Sequence, residues 1–254
     1  MSTRKQDVSI QYLIFAATQS EIDRLIKLLD NKKVIRIDKH LGICGSLEGK
    51  NILIIKTGVG YKIKKTTIDK IINDNNPKSI IITGFCASFR KNIKIGHIVL
   101  SEIIINDKLN EIKVNENINN NTEKAALEIG IPIQLGQTLS VSELLDTKEI
   151  KERYKNKYHE AIACDMENHH LANIMKNYNI PFVSIRAVSD TLSQDLPISF
   201  SKEIEEETRK GFISIIKYIF KHPKRFYSVI RFHKNLELAQ ENFTRLIYHF
   251  IKIN

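Results

Sequence analysis

Cysteine is scarce in this 254-residue chain: Cys44, Cys86 and Cys164 are the three present, far apart and with no CxxC pair. That spacing excludes a disulfide framework and a zinc knuckle, and leaves reduced thiols of the kind a cytosolic protein carries. Long apolar runs are lacking too. No stretch approaches the roughly 18 residues of a membrane span, and MSTRKQDVSIQ at the start has no signal-like apolar core. Nor is there a P-loop, because KTGVG at 56–60 lacks the Gly-Lys-Ser/Thr ending. Acidic residues are missing from one region only. Residues 209–234 hold eight Lys or Arg and no Asp or Glu, so of the net charge of +10 the rest of the chain carries about +2. Charge gathered in one amphipathic tail argues against a nucleic-acid partner for the body.

What is present suits a packed α/β protein. Hydrophobic residues make up 42%, enough for a core. VSIQYLIFAAT (8–18) reads as a strand, and 20–30 as a helix with Ile22, Leu25, Ile26 and Leu29 on one face. GICGSLEGKNILIIKTGVG reads as a hairpin turning at Glu48-Gly49, followed by a loop bracketed by Gly58 and Gly60. A helix over about 61–74 precedes the buried-strand run KSIIITG, and IGHIVLSEIII is a further strand. The Asn-rich NDKLNEIKVNENINNN is expected to be a loop, followed by a helix over about 122–129. Then come the strand PIQLGQTLSVS, a helix near 147–155, the run HEAIACDME, a helix over 168–178, the strand PFVSIRAVS, and a helical C-terminal part broken at Pro223. Alternating strands and helices imply an α/β fold with a parallel or mixed sheet, whose ligands sit at the carboxyl ends of strands.

Four such ends are suggestive: Ala16–Glu21, Thr83–Ser88, Asp165–Glu167 and Ser189-Asp190. Each acid has an ordinary reading beside a chemical one. Asp190 can be a helix N-cap or a general acid kept protonated in a dry pocket. Glu167 can be a first-turn acid favoured by the helix dipole, or a group that orients sugar hydroxyls. Glu21 can be a surface glutamate or the group that activates a water. Arg186, inside the same strand as Asp190, can orient Asp165 or Glu167, or touch substrate. His169 and His170 are adjacent and diverge on a helix, so no metal site is expected. Cys86 and Cys164 read as small buried hydrophobes.

CDMEN followed by the strand end SIRAVSD resembles the nucleoside phosphorylase/nucleosidase superfamily, as do FAATQSEIDRL, LEGKNILIIKTGVG and SIIITGFCASFRKNIKIGHIVLSE, over roughly residues 10–220. The resemblance implies an α/β, three-layer α/β/α fold with a central mixed sheet, a catalytic domain over 8–221 and a basic helical extension over 222–254. It implies cleavage of the N-glycosidic bond of a 5′-substituted adenine nucleoside, with no cofactor or metal. Asp190 matches the acid at the purine N7, and Ser189 the residue that supports it. Glu167 matches the glutamate on the ribose hydroxyls, Met166 the methionine on the sugar face, and Glu21 the glutamate that activates water in the hydrolytic branch. Ile82 stands where the hexameric phosphorylases carry a phosphate-binding arginine, which favours hydrolysis. Phe85 replaces a small residue after the Thr-Gly turn, His97 replaces an aspartate, and Leu144 stands where the nucleosidases stack a phenylalanine on the base. By the same resemblance the chain is a homo-oligomer.

The tail FKHPKRFYSVIRFHKNLELAQENFTRL, with DMEN-H and RAVSDTLSQDLP, is similar to the hopanoid-associated phosphorylases, which implies the alternative of phosphorolysis on an adenosylated lipid. In that reading residues 209–234 make a peripheral membrane contact from the cytoplasmic side; otherwise they are a solvated helix face packed on the body. A third reading is a non-catalytic member that binds a nucleoside or a membrane, with Phe85 crowding the sugar.

Overall fold

The computed structural model describes residues 9–60, 63–197 and 223–254. The apolar set expected on the tail at Phe212–Phe220 lies outside them. In chain order the elements are β1 (Tyr12–Ala16), α1 (Gln19–Leu28), β2 (Asp30–Ile37), β3 (His40–Leu47), β4 (Lys50–Lys56), α2 (Lys65–Asn75), β5 (Ser79–Ser88), β6 (Ile98–Asn106) and β7 (Glu111–Lys113). They continue with α3 (Glu116–Glu128), β8 (Ile133–Ser140), α4 (Lys148–Lys157), β9 (Ala163–Asp165), α5 (Asn168–Met175), β10 (Phe182–Thr191) and α6 (Pro223–Ile253).

All ten strands join one mixed sheet, in the order β10-β6-β8-β9-β5-β1-β4-β3-β2, with β7 on β6. A further pairing of β10 with β5 closes β5, β10, β6, β8 and β9 into a ring, leaving β1, β4, β3 and β2 as an open wing. Strand alternation sends neighbouring side chains to opposite faces. On β1, Tyr12, Ile14 and Ala16 share a core with α1, α3 and α6, whereas Leu13 and Phe15 pack with α2 and α5 on the other face. Helices therefore cover both faces, the three-layer α/β/α arrangement expected from the resemblance.

Local chemistry explains most elements. Glu48 and Gly49 both take positive φ, 50° and 75°, as a two-residue hairpin turn requires. Thr147 caps α4 by accepting from the Ile150 N–H. One expectation needs correction. The Asn-rich stretch is not all loop: helix α3 begins at Glu116, because the Asn115 side chain accepts from Ile118 N–H and Ile118, Asn119 and Thr122 are buried against the sheet. Strand β2 pairs with β3 at the sheet edge; Ile35 and Ile37 pack toward the core and its other residues are exposed.

The C-terminal helix is built into the body. Ala239, Phe243, Leu246, Ile247, Phe250 and Ile251 are all buried in the core they share with α1, α3 and the sheet. Lys50 bonds the carbonyl of Ile251 near the helix end. No helix among the described residues is long and apolar enough to cross a membrane. Phe243 is fully buried and tilts against Phe85, ring centroids 5.8 Å apart. Truncating Phe243→Ala removes that packing and leaves a cavity, and is expected to cost about 3–5 kcal/mol. Urea denaturation of both proteins checks this through the shift in midpoint.

Candidate active site

A cavity of about 370 Å³ opens at the carboxyl ends of β1, β5, β8, β9 and β10, a volume in the range of small-molecule sites. Glu21, Phe85, Leu144, Met166, Glu167, Ser189 and Asp190 all line it. The sheet thus brings every residue of the expected site together, from strand ends more than 160 positions apart in sequence. A larger groove of about 1010 Å³ lies near the other ends of β1, β5 and β10. Among the described residues it is lined by Lys50, Lys78, Lys113 and Lys176 and by no Asp or Glu.

The two carboxylates of CDMEN do different work. Asp165 turns inward and ends β9. Its Oδ1 accepts from Ser140 Oγ at 3.0 Å and from the backbone N–H groups of Glu167 and Asn168 at 2.9 and 2.7 Å, which fixes the start of α5. Glu167 turns to the cavity, where its Oε1 accepts from Gly60 N–H at 2.7 Å. Gly60 sits at a φ of 71°, a conformation that glycine takes without strain.

Arg186 lies behind them, 1% exposed and absent from the cavity wall. Its Nε is 3.7 Å from Asp165 and its Nη1 3.9 Å from Glu167. Burial works against its charge, but the carboxylates of Asp165, Glu167 and Glu21 outweigh that and raise its pKa. Room for the guanidinium exists because residue 84 is glycine: a Cβ there would meet Arg186 Nη1 at 2.6 Å and Glu21 Oε1 at 2.8 Å. Glu21 itself is buried at the third position of α1, accepting from Thr18 N–H at 2.7 Å and Phe85 N–H at 3.3 Å. Burial raises its pKa against those bonds and Arg186.

Asp190 is aimed by an irregularity. The pairing of β10 with β5 slips between Val188 and Asp190, so that Ser189 has no partner in the ladder and Asp190 lies opposite Ala87. Such bulges redirect side chains beside sites. Asp190 does not act as a helix cap in the described structure. Its Oδ1 accepts from Ser189 Oγ at 2.8 Å and its Oδ2 from Lys151 Nζ at 2.5 Å. Burial raises its pKa, with Lys151 and Ser189 opposing.

Met166 lies half-buried on the lining, and Leu144 stands at the rim, 42% exposed. Phe85 is half-buried between the cavity and Phe243, so α6 takes up much of the ring. Three contributors were not legible in the sequence: Lys151, and Phe232 and Leu236, which α6 places on the cavity wall. The helix KEIKERYKNK reads as solvated throughout, and nothing in its spacing singles out Lys151. Neither His169, which is buried, nor His170, whose Nε2 is 3.1 Å from the Ile63 carbonyl, reaches the cavity. Among the described residues no group of three or more His, Cys, Asp or Glu is placed to hold a metal ion.

The crowding of carboxylates has a measurable consequence. Burial pushes the Glu167 pKa up to about 7, with Asp165 and Glu21 adding to the effect and Arg186 and Gly60 N–H opposing it. The folded protein then binds more protons than the unfolded chain between the ordinary glutamate value and about 7, so stability falls as pH rises across that window. Glu167→Gln removes this contribution. The wild type is expected to lose roughly 1–3 kcal/mol more than the variant over that range, as read from urea denaturation at several pH values.

Comparison with known proteins bears on the family and the fold. A 5′-methylthioadenosine/S-adenosylhomocysteine nucleosidase of Buchnera aphidicola is 26% identical over 241 residues, covering 87% of this chain and 96% of the relative. Among solved structures, the nucleosidase of the same name from Neisseria meningitidis, in complex with methylthio-immucillin-A, superposes with a TM-score of 0.75 at 18% identity, covering 96% of this chain and 99% of that one. The futalosine hydrolase of Helicobacter pylori gives 0.75 at 16%, covering 96% and 99%. At such identities these structures share the fold. The family model of the phosphorylase superfamily matches residues 11–252, nearly the whole chain including the C-terminal helix, and the chain belongs to that superfamily.

Proposed function

We propose that this protein hydrolyses the N-glycosidic bond of an adenine nucleoside that carries a 5′ substituent. One observation carries the reading. Glu21, Asp165, Glu167 and Asp190 meet in a single, largely apolar cavity whose lining, among the described residues, includes no Lys or Arg. Breaking the bond builds positive charge on the sugar and negative charge on the departing base, as in other glycoside chemistry. Carboxylates suit the first, and a protonated carboxyl suits the second. A wall that carries acids and, among the described residues, no cation suits the activation of water better than the holding of phosphate. Fully buried Ile82, where a phosphorylase would carry arginine, points the same way.

In this reading Asp190 gives its proton to N7 of adenine, so that the base leaves neutral, and Ser189 steadies it. Glu167 holds the ribose hydroxyls, and the Met166 thioether packs on the sugar. Glu21, with a raised pKa, takes a proton from the attacking water. Phe85 and Leu144 bound the space around sugar and base. The names of the relatives support an adenine nucleoside or a related nucleoside as substrate.

A second reading, a large apolar or lipid-linked 5′ group, draws on a different observation. Val59, Leu144, Leu196, Phe232 and Leu236 make much of the lining apolar, the last two from helix α6, whose first part belongs to the basic segment. Adenine release from methylthioadenosine, S-adenosylhomocysteine and adenosine, with and without phosphate, separates the readings. Equal release in both buffers is expected, with Glu21→Gln and Asp190→Asn each slowing it by about 10²–10⁴-fold. Release only with phosphate would overturn hydrolysis. No release from any of the three, with release from an adenosine bearing a long alkyl chain at the 5′ position, would favour the second reading.

A further inference from the structure

Lys151 is the largest departure of this site from what an acid-bearing pocket needs. It lies on α4 with its side chain fully buried, in a helix whose other charges are solvated. Its ammonium spends its donors on Asp190 Oδ2 at 2.5 Å, the Gln194 carbonyl at 2.8 Å and, more distantly, the Thr191 carbonyl at 3.4 Å. The turn after Asp190 is stitched to the same helix start, since Lys148 N–H donates to Asp195 Oδ1 at 2.7 Å and Leu196 N–H to the Asp146 carbonyl at 2.7 Å. A buried lysine is costly unless paired, and this one is paired with the one carboxylate assigned to the leaving base.

We propose that Lys151 is a positioning and charge-tuning residue for Asp190. The inference rests on the reading of Asp190 as the acid at the base. When the Asp190 proton passes to N7, a negative charge appears on a carboxylate that is almost out of water. Ser189 Oγ at one oxygen and Lys151 at the other are already in place to receive it, with no reorganisation at the moment of transfer. Without the ammonium, burial alone would make Asp190 a weak acid that keeps its proton. The charged and titratable groups around Asp190 are few. Lys151 faces it from α4, the Cys86 and Cys164 thiols from β5 and β9, and Asp165, Glu167 and Glu21 share the cavity wall with Arg186 behind them. Burial holds both thiols far above neutral, and among the described residues Lys151 is the one cation in direct contact with Asp190.

The test replaces Lys151 by Met, by Gln and by Arg, with folding verified by thermal melts. Asp190 protonation is followed by carbon-13 NMR of labelled aspartate, its signal assigned by loss in Asp190→Asn. In the neutral variants its pKa is expected to rise by about 1–3 units, the range for loss of a close opposite charge, while K151R stays near wild type. Lys151→Gln serves if the Met variant does not fold. In parallel, the alkaline limb of kcat/KM for adenine release is expected to move to higher pH by a similar amount in K151M and K151Q, with a lower plateau. A role confined to stability would lower the melting temperature and leave both the NMR midpoint and the limb where they are, which overturns the inference. If the NMR midpoint moves but the wild type releases adenine from no nucleoside, the reading of Asp190 as catalytic acid fails and the coupling of Lys151 to Asp190 stands.

Discussion

One guanidinium holds this site together. Arg186 is buried on the central strand β10 with Asp165, Glu167 and Glu21 turned toward it, and three acids share one cation. Paired one-to-one they would be a structural knot of little chemical interest. Burial makes the acids that face the cavity hold protons more tightly, Glu167 up to about 7, and for Glu167 the neighbouring carboxylates of Asp165 and Glu21 add to that. The arrangement depends in turn on the bare backbone at Gly84, since any side chain there would occupy the space of the guanidinium and of Glu21. Asp165 is the member that faces inward. Its bonds to Ser140 and to the first N–H groups of α5 make it a fixed point from which Glu167, two residues on, is presented to the cavity.

Asp190 stands outside that cluster and has its own cation. Two acid–cation systems thus lie side by side at one cavity, each cation behind its wall: an anionic one around Arg186, and the Lys151–Asp190 pair. Strand β10 carries both Arg186 and Asp190, but a slipped register and helix α4 give the latter a separate environment.

The helix α6 links core and site. Its second half fills one face of the sheet, and its first half reaches the cavity wall through Phe232 and Leu236. A segment that reads as an appendage because it is basic and follows a proline is therefore tied to stability at one end and to the cavity at the other. Phe85 shows why such a position cannot be judged alone. As a replacement for a small residue it would crowd a sugar, yet with Phe243 beside it the ring has a partner in the core.

The sequence by itself determined the strand–helix alternation, the Glu48-Gly49 hairpin, and which strand ends carry acids, because these depend on local backbone preference and on side-chain period. It also singled out Glu21, Met166, Glu167, Ser189 and Asp190 as a group, through the spacing of CDMEN and SIRAVSD. Only the tertiary structure decided what those acids face. The Asn-rich start of α3 took its form from the surface it packs on. Lys151 was hidden in a helix of charged residues, because the sequence carries no mark of which one of several lysines is turned inward. That choice is made by burial: an ammonium enters a core only where a carboxylate and carbonyls from distant segments converge to replace its water, and such convergence exists only once the chain has folded.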